Sequence, residues 1–125
     1  MILAIIQART GSSRLPGKVL LQIEGKTIIN HVTDRVSASK LIDKVVVATT
    51  LQDNDIDLVK AVSALGHLVY CGSEEDVLDR FYQTAKIFQP SHIVRITADC
   101  PIIDPEVIDL VITSHLDVKA DYSSN

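Results

Sequence analysis

Three positively charged side chains near the start of the chain form the group of residues best suited to chemistry. Arg9, Arg14 and Lys18 fall within ten residues, and the first acidic residue is Glu24. Cations at this spacing repel one another unless an anion binds between them. Because the net charge of the whole chain is −4, a purely cationic opening segment indicates a binding site for a small anion. By charge alone, a solvated basic loop without a ligand remains the alternative.

The segment 7–18 predicts a loop that holds phosphates mainly with its side chains. Two glycines, two serines and a proline within it favour irregular backbone. A Walker A loop needs four residues between its first glycine and the Gly-Lys pair, followed by Ser or Thr. Here five residues separate Gly11 from Gly17, and Val19 follows Lys18. We therefore expect phosphate contacts from the Arg and Lys side chains, helped by the backbone N–H groups of residues 11–13.

Alternating strand-like and helix-like segments predict the elements that position this loop. Apolar runs predict buried strands at residues 2–6, 44–49, 67–70 and 92–96. Helical spacing and caps predict four helices: residues 27–39, a helix capped by Asn54 or Asp55 that runs to 65, one from a Ser73–Asp76 capping arrangement through 88, and one from Pro105, capped by Asp104, to about 115. This order predicts an α/β fold with a mostly parallel sheet and helices on both faces.

Two polar turns meet at one edge of this predicted sheet. The loop follows the strand that ends at Ile6, and a turn containing Asp99 follows the strand that ends at Ile96. Ligands of parallel sheets bind beyond the carboxyl ends of the strands. A carboxylate there suits Mg²⁺, which prefers oxygen ligands. The alternative for Asp99 is a turn-forming residue before Pro101.

Composition limits the class of protein. The chain has 125 residues, enough for one domain, with 46 % hydrophobic and 22 % charged residues, as in globular proteins. No apolar run approaches the roughly 20 residues of a membrane helix, and the start predicts no signal peptide. The acidic balance argues against nucleic-acid binding. Cys71 and Cys100 do not make a disulfide scaffold, so we expect a cytoplasmic setting.

Four motifs, in order along the chain, resemble those of a known family. They resemble the cytidylyltransferases that activate acidic sugars, among them the synthetases for CMP-sialic acid and CMP-ketodeoxyoctonate, and most of all the family of spore-coat polysaccharide biosynthesis protein F. Together they cover nearly the whole chain, and an ordered set is more specific than any single motif. The motifs are Ile6–Arg9 with Arg14–Lys18, Val45–Thr50, Gly72–Phe81 and Val94–Pro105.

The resemblance implies a fold and a reaction. The fold is a Rossmann-like, three-layer α/β/α nucleotide-diphospho-sugar transferase domain, of which residues 1–125 would be a truncated, N-terminal nucleotide-binding part. The reaction transfers CMP from CTP to a sugar or sugar acid and releases pyrophosphate, with Mg²⁺, in surface or spore-coat polysaccharide biosynthesis. The family also allows a homodimer. The last residues, 121–125, look like the start of a further strand.

The resemblance also assigns site residues by position. Lys18, Arg9 and Asp99 would be catalytic, and Asp99 would hold the magnesium ion. The residues that would bind the nucleotide are Ala8, Arg9, Gly11, Ser12, Ser13, Arg14, Lys18 and Arg80.

Several alternatives stay open at this point. Arg80 is also explained as a helix-face charge paired with Asp76, four residues earlier. Thr97 stands where ketodeoxyoctonate synthetases carry Gln, which leaves the sugar open. A nucleotide-sugar-dependent glycosyltransferase of related fold would carry an Asp-x-Asp metal motif at a strand end, and here Asp55-Ile56-Asp57, which has that pattern, lies early in a predicted helix. An inactive nucleotide-binding fragment is the third reading.

Overall fold

The apolar runs form a parallel central sheet in the computed structural model, which describes residues 1–11, 17–99 and 101–124. The six strands are β1 (Ile2–Gln7), β2 (Gln22–Ile23), β3 (Lys26–Thr27), β4 (Lys44–Thr50), β5 (Leu68–Gly72) and β6 (His92–Thr97). Four of them make the sheet, in the order β5-β4-β1-β6, and every pair is parallel. The chain moves outward from β1 to β5 and returns to the far side of β1 with β6. The carboxyl edge between β1 and β6 is therefore the switch point at which such sheets bind ligands.

Helices cover both faces of this sheet, as the alternation predicts. They are α1 (Ile28–Ser37), α2 (Ile56–Ala64), α3 (Val77–Phe88) and α4 (Pro105–Val118). On one face, α1, α2 and α4 pack on the even-numbered residues of β1, with Ile29, Leu58 and Ile108 in the core. On the other face, α3 packs Phe81 near Leu3 and Ile5. The three-layer, Rossmann-like fold is thus confirmed, and in the described ranges no helix has the length and apolarity needed to cross a bilayer.

A short hairpin follows the cationic loop, and the sequence analysis did not predict it. Strands β2 and β3 pair antiparallel around Glu24 and Gly25, whose φ angles are +52° and +82°. Positive φ at both central residues is the requirement of a type I′ hairpin turn. Strands of two residues carry too little alternation to be recognised.

The predicted strand at residues 121–125 is wrong for the described part of that segment. Helix α4 runs three residues beyond the predicted end, and residues 121–124 form no strand. They lie instead along a groove of about 680 Å³ beside β6, where the Ser123 hydroxyl is 2.9 Å from Nδ1 of His115. A strand needs a neighbouring strand for its backbone hydrogen bonds, and this segment is held by side chains.

The residue that ends α3 generates a test of the fold. Gln89 adopts the left-handed conformation, with φ +50°, which a side chain disfavours and glycine does not. Gln89→Gly should raise the free energy of unfolding by about 0.5–1 kcal/mol. The control Lys86→Gly, within the same helix, should lower it by about 1 kcal/mol. Denaturant midpoints measure both, and a destabilising Gln89→Gly would contradict this helix end.

Candidate functional site

Both ends of the cationic loop are fastened at Thr10. The N–H of Gly17 donates a hydrogen bond of 2.7 Å to the carbonyl of Thr10, so the two ends of the loop lie side by side. Gly17 has a φ of +75°, a conformation that favours glycine. The sequence predictions for Ser12, Ser13 and Arg14 fall within residues 12–16, outside the described residues.

The buried carboxylate of Asp55 accepts hydrogen bonds from Thr10. The Thr10 N–H and hydroxyl both donate to Oδ1 of Asp55, over 2.7 and 2.8 Å. The hydroxyl of Thr50, at the end of β4, donates to Oδ2. Asp55 is 2 % exposed, and these donors compensate for burying its carboxylate. The base of the loop is thereby joined to the carboxyl end of β4.

The capping role predicted for Asp55 is wrong. Asp55, one of the two predicted caps, stands at the N-cap position just before α2, but its side chain makes no capping hydrogen bond to that helix. Its carboxylate turns toward the loop instead. Sequence reasoning missed this role because the partner, Thr10, lies 45 residues away, and the local pattern of an acid before a helix predicts only a cap.

Lys18 and Asp99 lie within electrostatic reach of each other at the carboxyl edge between β1 and β6. Lys18 begins a 3₁₀ turn, Lys18–Leu20, directly after the neck of the loop, and Asp99 lies in the turn after β6. The Thr97 hydroxyl donates to Oδ1 of Asp99 over 2.7 Å. This hydrogen bond is the largest cause of the lowered pKa of Asp99. Burial opposes it, and a backbone hydrogen bond and, least, the charge of Lys18 lower the pKa further. The structure thus brings a cation of the loop close to the predicted metal ligand.

Arg80 is buried rather than displayed on a helix surface. Its side chain is 1 % exposed, and Nη1 donates to the Ser73 carbonyl over 2.8 Å. Asp76 does not pair with it, because the Asp76 carboxylate caps α3 by accepting from the N–H of Asp79. The helix-face reading of Arg80 is therefore wrong. Its Nε and Nη2 atoms have no partner in the described part of the chain.

A buried guanidinium with two unpaired nitrogens places positive charge under the site. Burial, first, and the nearby charge of Arg9 lower the pKa of Arg80, while Asp55 and Glu74 oppose them. An arginine side chain stays protonated under such influences. Arg9 and Arg80 thus lie within electrostatic reach of each other, and an anion would relieve their repulsion.

Two further predicted residues lie close to the neck of the loop. Ala8 is 3 % exposed and its N–H donates to the Ala48 carbonyl over 3.1 Å, so it extends the sheet beneath the site. Gly11 approaches Asn54 closely, because an added Cβ would lie 3.1 Å from Nδ2 of that side chain. Contact of either residue with a nucleotide stays a prediction.

Within the described residues, Asp99 is the carboxylate that the sequence predicted as a ligand for a divalent cation. No cluster of three His, Cys, Asp or Glu residues able to hold a metal occurs among the described residues. Asp99 is exposed at the sheet edge, with Oδ1 taken by Thr97. Magnesium commonly binds one or two carboxylates and takes phosphate and water oxygens as its other ligands. Asp99 therefore fits an ion shared with a phosphorylated ligand.

The Asp55-Ile56-Asp57 pattern does not provide a second candidate metal site. Both carboxylate oxygens of Asp55 accept hydrogen bonds from threonine side chains, whereas Asp57 is exposed on α2. The Asp-x-Asp pattern, already weak support for a glycosyltransferase because of its place in a helix, thus has its first carboxylate bound to Thr10 and Thr50.

Comparison with known proteins agrees with this geometry. A profile described as cytidylyltransferase matches residues 3–125. Spore coat polysaccharide biosynthesis protein SpsF of Bacillus subtilis is 41 % identical over 126 residues, covering 98 % of this chain and 52 % of that protein. The chain spans about half the length of the curated relatives it matches.

Solved structures of high similarity carry the same description. A cytidylyltransferase from Leptospira borgpetersenii superposes with a TM-score of 0.88 at 37 % identity, covering 93 % of this chain and 49 % of that one. A CMP:2-keto-3-deoxy-manno-octonic acid synthetase complexed with CTP has a TM-score of 0.81 at 31 % identity, covering 95 % and 48 %.

The hydrogen bond between Thr97 and Asp99 generates a test of the site. Thr97→Val removes the main cause of the lowered pKa, so the pKa of Asp99 should rise toward its ordinary value. A depressed pKa stabilises the fold above the unfolded-state pKa, and this contribution is lost as pH falls through the folded-state pKa. The variant should therefore lose less stability on acidification. Carboxyl NMR titration measures the midpoint directly. The control Thr113→Val, at an exposed position of α4, should leave the midpoint of Asp99 unchanged. An unmoved midpoint in Thr97→Val would rule out the hydrogen bond.

Proposed function

Because the chain belongs to the cytidylyltransferase family, we propose that its site binds CTP with Mg²⁺ and serves the transfer of CMP to a hydroxyl of a sugar or sugar acid. The observation that carries this proposal is that Lys18, beside the Gly17–Thr10 hydrogen bond, and Asp99 both lie at the carboxyl edge between β1 and β6, within electrostatic reach of each other. A triphosphate with a bound cation needs both a positive side chain and a carboxylate.

The proposed reaction is an in-line displacement at the α-phosphorus. The sugar hydroxyl oxygen forms a bond to that phosphorus and releases its proton to water, while the bond from the α-phosphorus to the bridging oxygen breaks. Pyrophosphate leaves with the electron pair. Catalysis of this type depends on positioning and on charge stabilisation rather than on a covalent intermediate.

Each side chain has a role within this reaction. Arg9 and Lys18 are proposed to neutralise the charge that develops on pyrophosphate. Asp99 would hold the magnesium ion, which when bound adds positive charge at the phosphates. Arg80, buried within electrostatic reach of Arg9, would add a fixed positive charge to the site.

The biological setting follows from the relatives as a proposal. The likeness to SpsF favours surface or spore-coat polysaccharide biosynthesis. The sugar is left open by Thr97, whose hydroxyl is committed to Asp99. The homodimer, and the placing of these residues in the N-terminal part of a larger cytidylyltransferase domain, stay predictions.

Removal of the loop's positive charge tests the nucleotide assignment. The double variant Arg9→Ala, Lys18→Ala should bind CTP at least about a hundredfold more weakly, since each lost charge-assisted hydrogen bond is worth roughly 1.5–3 kcal/mol. Isothermal titration calorimetry in MgCl₂ gives the dissociation constant. The charge-matched control Lys60→Ala, Lys86→Ala changes exposed helix residues and should bind CTP normally. Unaltered affinity in the first variant would refute the assignment, and tighter binding of a nucleotide-sugar than of CTP would favour a glycosyltransferase.

The magnesium proposal has its own test. Without magnesium, Asp99→Asn should bind CTP no more weakly than the unmodified chain, because a negative charge has been removed. With magnesium, the variant should lose most of the rise in melting temperature that the ion adds to CTP binding. Asp117→Asn, exposed on α4, is the control. An undiminished effect of magnesium in Asp99→Asn would exclude Asp99 as the ligand.

A further inference from the structure

We propose that Asp55 is a positioning residue of this site: through Thr10 it sets the position of Gly17 and thereby of Lys18. This inference rests on the proposed binding of CTP. Asp55 itself, enclosed at 2 % exposure, is not proposed to touch the nucleotide.

Asp55 does not cap the helix that it precedes. An aspartate at the start of a helix stabilises that helix when its carboxylate accepts from an N–H of the first turn. Asp55 makes no such hydrogen bond. Its carboxylate is instead buried among the donors of Thr10 and Thr50. Burying a charge away from water is costly, so its orientation points to a demand for fixing Thr10.

Successive hydrogen bonds connect Asp55 through Thr10 to Gly17, the residue before Lys18. Asp55 accepts from the Thr10 N–H over 2.7 Å, and the Thr10 carbonyl accepts from the Gly17 N–H over 2.7 Å. Lys18 follows Gly17 directly and lies close enough to Asp99 to lower its pKa. The neighbouring backbone is close as well, because the Asn54 carbonyl and Oδ1 of Asp55 share the single proton of the Thr10 hydroxyl. A displaced Asp55 would release the neck of the loop.

The location of the Asp55 carboxylate also supports a positioning role. A carboxylate facing the triphosphate would repel it, but Asp55 lies behind Thr10, where it favours the charged form of buried Arg80. It therefore supports two cationic elements of the site without facing the anion. A residue kept only for the stability of α2 would not need this location.

The test measures CTP affinity on folded protein. The Asp55→Ala variant loses all the acceptors and should bind CTP about tenfold more weakly. Asp55→Asn keeps an oxygen toward Thr10 and offers an N–H toward the Thr50 hydroxyl, so it should restore affinity to within about threefold of the original. Calorimetry is run well below each melting temperature, with circular dichroism confirming the fold.

A matched control separates positioning from stability. Asp109 also holds a loop, accepting from the N–H groups of Lys40 and Leu41 and from the Ser39 hydroxyl, at the end of the sheet opposite the site. Asp109→Ala should lower the melting temperature but leave the CTP dissociation constant unchanged. If Asp55→Ala does not fold, Thr10→Val, which removes only the hydroxyl, takes its place and should weaken CTP binding about fivefold.

The outcomes distinguish this inference from the function on which it rests. If the unmodified chain fails to bind CTP, the proposed function fails and this inference with it. If the unmodified chain binds CTP and folded Asp55→Ala, or its substitute Thr10→Val, binds equally well, only the positioning role is overturned. Equal losses in Asp55→Ala and Asp109→Ala would also overturn it, because stability alone would then explain the effect.

Discussion

The hydrogen bonds that meet at Thr10 are the constraint on which the site depends. A loop rich in glycine, serine and cations has little apolar surface with which to fix itself. Here its two ends are joined to each other at Thr10 and Gly17, and the join is fastened to Asp55 and β4. A few polar contacts therefore connect the ends of the loop to the rigid sheet. Preorganised charges of this kind are effective because no reorganisation is needed when the ligand binds.

Charge is arranged around this point in a consistent way. Lys18 lies within electrostatic reach of Asp99 at the open edge, and Arg9 and Asp55 lie within electrostatic reach of the buried Arg80. The net charge of −4 for the whole chain makes such local concentration of cations more informative than the overall balance. A ligand with several negative oxygens is the partner that this distribution fits.

Much of the fold was predictable from the sequence because its signals are local. The apolar run of β1 and the cap at Asp104 depend on neighbours within a few residues, and the structure has both. The hairpin around Glu24 was missed because its strands are only two residues long. The segment after α4 was predicted as a strand from its residue types, yet its described residues pair with no strand of the sheet.

The site was predictable in position but not in its internal bonds. Lys18 and Asp99 come together because parallel strands place their carboxyl ends at one edge, which order alone reveals. The bonds from Asp55 to Thr10 and the burial of Arg80 depend on tertiary contacts. An acid before a helix and an arginine four residues after an acid have common local explanations, a cap and an ion pair, and both were wrong here.

The most direct test of the account is a backbone NMR titration of the ¹⁵N-labelled chain with CTP and MgCl₂. The account predicts that the largest shift changes fall on Thr10, Gly11, Gly17, Lys18 and Asp99. Little change is expected at the opposite end of the sheet, around residues 42–45 and 66–68. Changes confined to that opposite end, or no saturable change at the loop, would contradict it.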